Sequence, residues 1–236
     1  MKSYKILINK YEGQNIEAGF ILAAGPSLYE NMQNPIFSKL SEYGIVVVVN
    51  SAIMAYPEPS FFISCDHLVT HWTWWEDFVK KSKCVKIVRS SWLKYKDEIK
   101  DFYIFEPRKT PECEINPEDQ GLCYPNSLSA AIDFTIKFLG EKGKVFVLGL
   151  DHHLSKDKYS YHHFWQYFKN KPKQLKPAQG SWNQQKSVFS IHLQAYKALN
   201  KFAEYKNCKI YNCNPESGVS AFEKINFDQI FKILKK

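Results

Sequence analysis

No two of the six cysteines, Cys65, Cys84, Cys113, Cys123, Cys208 and Cys213, stand as a CxxC pair, and no histidine lies at zinc-finger spacing from them. That excludes a zinc knuckle and makes reduced, structural thiols the expectation. No apolar run approaches the ~20 residues that span a bilayer, and MKSYKILINKYEG turns polar after Ile8, too early for a secretory signal. A soluble, cytoplasmic protein is expected. Arginine-rich tracts are also missing. The formal net charge is +8, but the cations are spread along the chain among the acids, so the excess points to an anionic ligand or to solubility and not to a nucleic-acid partner. The turn AAGPSL is neither a P-loop, since no GK[ST] follows, nor the GxGxxG of dinucleotide folds.

What the sequence does have is apolar bulk. Its 236 residues are 44% hydrophobic, enough for a sizeable core, and a single domain over 1–236 is the simplest reading. Aromatics make up 16%, which serves core filling first and ring stacking second. Short apolar runs read as strands at Lys5 to Ile8, Phe20 to Ala23, the GIVVVVNSAI segment, SFFISC, CVKIVRS, KDFYIFEP, KVFVLGL and CKIYNCN. Helices are predicted over Leu28 to Leu40, Trp72 to Lys81, the long SLSAAIDFTIKFLG segment, Val188 to Tyr205 and the terminal NFDQIFKILKK. This alternation implies a Rossmann-like α/β fold, a mainly parallel sheet flanked by helices. The polar, aromatic segment 155–185 is long for a loop, and reads as a lid insertion. The basic FKILKK end suits a solvated helix terminus and leaves room for peripheral contact with an acidic membrane surface.

In parallel sheets ligands bind beyond the carboxyl ends of the strands. The residues there are Gly25, Pro26 and Ser27; Asn50 and Ser51; Asp66 and His67; Gly149 followed by Asp151, His152 and His153; and Asn212 to Ser217, with Asn214 and Ser217 the candidates among them. Gly25 lets the chain turn, and a helix start at Ser27 offers N–H groups to an anion. Asp66 and Asp151 are hard oxygen ligands for a divalent ion, or alternatively caps of the segments that follow them. The histidines of DHH and YHH lack the HExxH spacing of zinc sites, and a proton-transfer role suits them better.

Five islands in order, AAGPSL, VVVVNS, YPNSLSAAIDFTIKFLG, VFVLGLDHH and KIYNCNPESGVSAF, resemble the family-42 bacterial sialyltransferases and the related MptE-like family, which includes 6-hydroxymethylpterin diphosphokinase-like and motility-accessory-factor proteins. The resemblance runs from about Phe20 to Phe222. It implies that Gly25, Pro26, Ser27 and Asn50 contact the nucleotide of a CMP-linked donor, and that Asn126 and Ser127 hold its phosphate or carboxylate region. Tyr159 matches one of two tyrosines that stabilise the departing phosphate, and His153 stands at the other position. The family's general-base histidine falls on Ser190 here. His192 is two residues away, about 200° around a helix, so either the register slips, or the base is His162 or His163, or the acceptor chemistry differs.

Three functions follow. The first is a glycosyltransferase using a nucleotide-sugar donor, such as CMP-sialic acid or a related nonulosonic acid, and a glycan or protein acceptor, without any metal; the second is diphosphate transfer from ATP to a pterin-like hydroxymethyl group, which needs magnesium. The third is a non-catalytic nucleotide or glycan-binding module. Self-association is open in each.

Overall fold

Four consecutive valines suit only a strand covered on both faces, and in the computed structural model Ile45–Val49 is buried throughout, inside a sheet with helices on either side. The structure describes residues 2–11, 14–99, 101–108, 121–152, 163–173 and 182–235. In chain order the strands are β1 (Lys2–Ser3), β2 (Ala18–Leu22), β3 (Ile45–Val49), β4 (Phe61–Ser64), β5 (Val85–Arg89), β6 (Tyr103–Phe105), β7 (Lys144–Leu148), β8 (Lys209–Asn212) and β9 (Glu223–Lys224). The helices are α1 (Lys5–Tyr11), α2 (Ser27–Met32), α3 (Ser127–Leu139), α4 (Trp182–Tyr205) and α5 (Gln229–Leu234). Among the described residues the sheet has nine strands, all pairings parallel, in the order β1-β6-β5-β4-β3-β2-β7-β8-β9.

Successive strand residues point to opposite faces, and two cores result. On one face Ile21, Val47, Ile63, Ile87 and Val147 pack with Phe134 and Ile136 of α3 and Leu199 of α4. On the other, Phe20, Val48, Phe62, Val88 and Phe146 pack with Leu28 of α2, Trp75 and Ile230 of α5. Aromatic residues fill both. Phe20, Phe146 and Tyr211 stack across three adjacent strands at 5.5 and 5.2 Å, and Phe61, Phe134 and Phe138 form an edge-on cluster on the other side.

Several predicted elements are corrected. Lys5 to Ile8 lies in a helix, α1, anchored by buried Tyr4 and Leu7, and only Lys2–Ser3 pairs with the sheet. The helix expected over Leu28 to Leu40 stops at Met32, because Pro35 disfavours helical backbone just before it, and a 3₁₀ turn Phe37–Glu42 follows. Trp75–Val79 is a single π-helical turn. Helix α4 begins at Trp182, inside the predicted lid and ahead of the expected Val188. A two-residue strand, β9, follows the one expected to be last. Cys123 is disulfide-bonded, so the expectation of six reduced thiols fails; Cys65, Cys84, Cys208 and Cys213 are free.

The lid splits too. Its stretch 163–173 is docked: Phe164 is buried and its N–H donates to the Ala24 carbonyl at 3.1 Å, Tyr167 stacks on Tyr29 at 4.8 Å, and Thr73 N–H donates to the Lys173 carbonyl at 3.1 Å. Segments 153–162 and 174–181 lie outside the described residues. No helix among the described residues is long and apolar enough to cross a membrane.

Candidate functional site

From β2 the chain winds outward through β3, β4, β5 and β6, then returns through α3 to place β7 on the opposite flank of β2. The carboxyl ends of β2 and β7 therefore flank the topological switch point, where such sheets open a crevice. The Gly25 turn crosses it. Gly25 N–H donates to the Gly149 carbonyl at 3.0 Å, and a Cβ on Gly25 would collide with that carbonyl and with the Asp151 carboxylate. Gly149 itself has φ +72°, where a side chain is strained.

The first N–H of α2 is already satisfied. Ser27 N–H donates to Asp151 Oδ2 at 2.9 Å, while Asn214 Nδ2 donates to Asp151 Oδ1. The anion at this turn is the protein's own carboxylate. Its loop is locked by Gly218 N–H and Ser217 Oγ, which donate to the Asp151 carbonyl at 2.8 and 3.1 Å.

Beyond these strand ends lies a two-lobed trough, each lobe about 650 Å³. Asn50, Asn126, Ser127 and His192 line both lobes. Gly25, Pro26, Ser27, Gly149, Asp151, His163 and Asn214 line the first, and Asp66 the second. Ser51 and Ser217 are buried and line neither lobe. His153, Tyr159 and His162 lie outside the described residues. The trough also contains residues that sequence reasoning passed over, Tyr196 in the first lobe and Arg89, Lys94, Tyr95 and Tyr124 in the second, while Glu216, from the stretch expected after β8, lines the first. His152, noted only as one of a pair, lines the first.

The shared wall is built from helix starts. Asn126 caps α3, its Oδ1 accepting from Ser129 N–H at 2.7 Å, and its Nδ2 donates to the Tyr196 hydroxyl at 3.2 Å. Ser127 Oγ accepts from Cys65 N–H at 2.9 Å, tying α3 to the end of β4. Asn50, at φ 51°, and His152, at φ 54°, both sit in the left-handed region that non-glycine residues rarely adopt. Asn50 Oδ1 and Ser27 Oγ are buried without a hydrogen-bond partner, an arrangement that favours a polar ligand.

His192 reaches the trough, whereas Ser190, 200° around α4, is exposed. The His152 and His192 rings stack at 5.8 Å, with Phe189 edge-on to His152 at 4.1 Å. Burial lowers the His192 pKa, partly countered by its ring N–H bonding the Pro125 carbonyl. The ring is thus kept neutral with its second nitrogen able to accept a proton. Burial pushes the Tyr196 hydroxyl up, and pushes the Cys65 thiol up to about 12, so Cys65 is not a thiolate nucleophile.

The carboxylates that magnesium would need do not form a cradle. Asp66 Oδ1 accepts from Leu68 N–H at 2.9 Å, both Asp151 oxygens accept from the chain, and the two residues line different lobes. Among the described residues no three His, Cys, Asp or Glu side chains group as metal ligands. No protein-family model and no curated protein matches this chain, so the resemblance rests on its five sequence islands.

Proposed function

We propose that this protein is a glycosyltransferase that holds a nucleotide-activated sugar in the trough and uses His192 as its general base. The observation that carries the reading is a half-buried histidine, its pKa lowered by burial, at the junction of the two lobes and beside the switch point of a parallel sheet. The donor would lie in the first lobe, against the Gly25 turn, Asn50 and His152. The acceptor hydroxyl oxygen bonds to the anomeric carbon, the bond from that carbon to the phosphate oxygen breaks, and the nucleotide leaves with the electron pair. His192 takes the hydroxyl proton. The Asn126 and Ser127 wall orients the donor. A CMP-linked nonulosonic acid is the donor that the sequence islands favour.

The test is a thermal-shift series with CMP, UDP, GDP and ATP, each with magnesium and with chelator, followed by hydrolysis of CMP-sialic acid. Stabilisation by CMP in chelator and slow release of free sugar are expected. Stabilisation by ATP only with magnesium would move the assignment to diphosphate transfer, and silence throughout would leave a binding module for some other ligand.

A further inference from the structure

The chain has two arginines, Arg89 and Arg108, against thirty lysines. A guanidinium is a rigid, planar fork suited to paired oxygens, which an ammonium is not. Arg108 is used in that way: fully buried, it forks onto both carboxylate oxygens of Asp133 at 2.9 to 3.0 Å. Arg89 ends β5 and opens into the second lobe with no carboxylate within ion-pair distance among the described residues. Lys94, in the same lobe, also has none.

Both cations rest on rings. Arg89 lies 5.2 Å from the Tyr124 ring centre and Lys94 5.2 Å from that of Tyr95. Tyr95 is fixed by stacking on His67 at 3.3 Å, and the segment that carries it is anchored by buried Trp92, whose Nε1 donates to the Cys65 carbonyl at 3.3 Å. Among the described residues the lobe has one carboxylate, Asp66, engaged by Leu68 N–H, and the protonated Cys65 thiol adds no charge. Two cations against one carboxylate, among the described residues, leave the lobe positive, and aromatic rings wall it.

We infer that this second lobe is the acceptor subsite and selects an acceptor bearing a carboxylate or phosphate, which forks onto Arg89 with Lys94 beside it. This rests on the transferase reading above. It follows from position: the lobe shares Asn50, Asn126, Ser127 and His192 with the donor lobe, so an acceptor anchored by its anion at Arg89 extends its hydroxyl toward the base.

Isothermal titration of the protein with methyl β-glucuronide, glucose 6-phosphate and methyl β-glucoside tests it, with an Arg89→Gln, Lys94→Gln double variant alongside. Both positions are solvent-accessible, and an unchanged melting temperature of the variant checks its fold. At least one anionic probe is expected to bind about tenfold tighter than the neutral sugar, and the variant to lose that preference. The carboxylate and phosphate arms tell the two anions apart. Equal binding of all three probes, no binding of either anion, or a preference that survives the double substitution overturns the inference. The transferase reading is judged separately by the wild-type response to CMP, which does not depend on these side chains: CMP stabilisation with no anion preference sinks only the subsite.

Discussion

His192 is the residue on which most turns. Its depressed pKa means that its neutral, proton-accepting form persists below the ordinary histidine value of about 6.5 and is lost as pH falls through the lowered one. The acid limb of kcat/KM is therefore expected below pH ~6.5, and His192→Gln should remove it while lowering kcat by about 10²- to 10⁴-fold. A pH–rate profile of both proteins checks this; an acid limb that survives the substitution assigns it to another group. Gly25 is the second such residue. Gly25→Ala forces its methyl group into the Asp151 carboxylate and the Gly149 carbonyl, and a loss of about 1–3 kcal/mol, read from urea melts, is expected together with a weakened response to nucleotide. Both residues stand out in the sequence as a type, but only the folded chain shows that the anion beside Gly25 is Asp151.

At the scale of elements, α3 carries the site wall at its start and a buried ionic knot in its middle. Asp133, fully buried, accepts from Arg108 and from Cys123 N–H at 2.7 Å, with Lys137 Nζ at 3.5 Å. Removing one member strands the other's charge in a low-dielectric interior, so Asp133→Ala should cost about 3–5 kcal/mol. Calorimetry measures that loss. Replacing Arg108 and Asp133 together by apolar residues of similar size should cost less than Asp133→Ala alone. Helix α5 is held by packing, with Ile230 buried against the second core and Phe231 edge-on to Tyr43 at 5.0 Å. Ile230→Ala should cost about 2–5 kcal/mol through the cavity it leaves, without altering nucleotide response. The buried sheet strands were legible because such strands are continuous apolar runs, whereas the two-residue strands β1 and β9 were not. The short pieces were not: α1, the π turn and the 3₁₀ segments are fixed by what they pack on and carry little period of their own.

For the molecule as a whole, the +8 charge is not concentrated in the trough, whose described lining sets Arg89 and Lys94 against Glu30, Asp66, Asp151 and Glu216. If its second lobe takes an anion, binding of glucose 6-phosphate should weaken as salt is raised from 50 to 500 mM, whereas nucleotide packing against the Gly25 turn should respond less. Titration at several ionic strengths separates the two. The sequence by itself determined the α/β class, the buried strands and their parallel sense, because apolar runs, turn glycines and helix periods are local signals that act before any tertiary contact. It also named most of the trough's first lobe. Only the tertiary structure decided which strand ends are neighbours, since that depends on the return of α3 across the sheet. That return brings Arg89 and His192, more than a hundred residues apart, into one lobe. It also leaves Asp66 and Asp151 in separate lobes, because a carboxylate takes the nearest N–H donors, and which donors are nearest is settled only when the chain has folded.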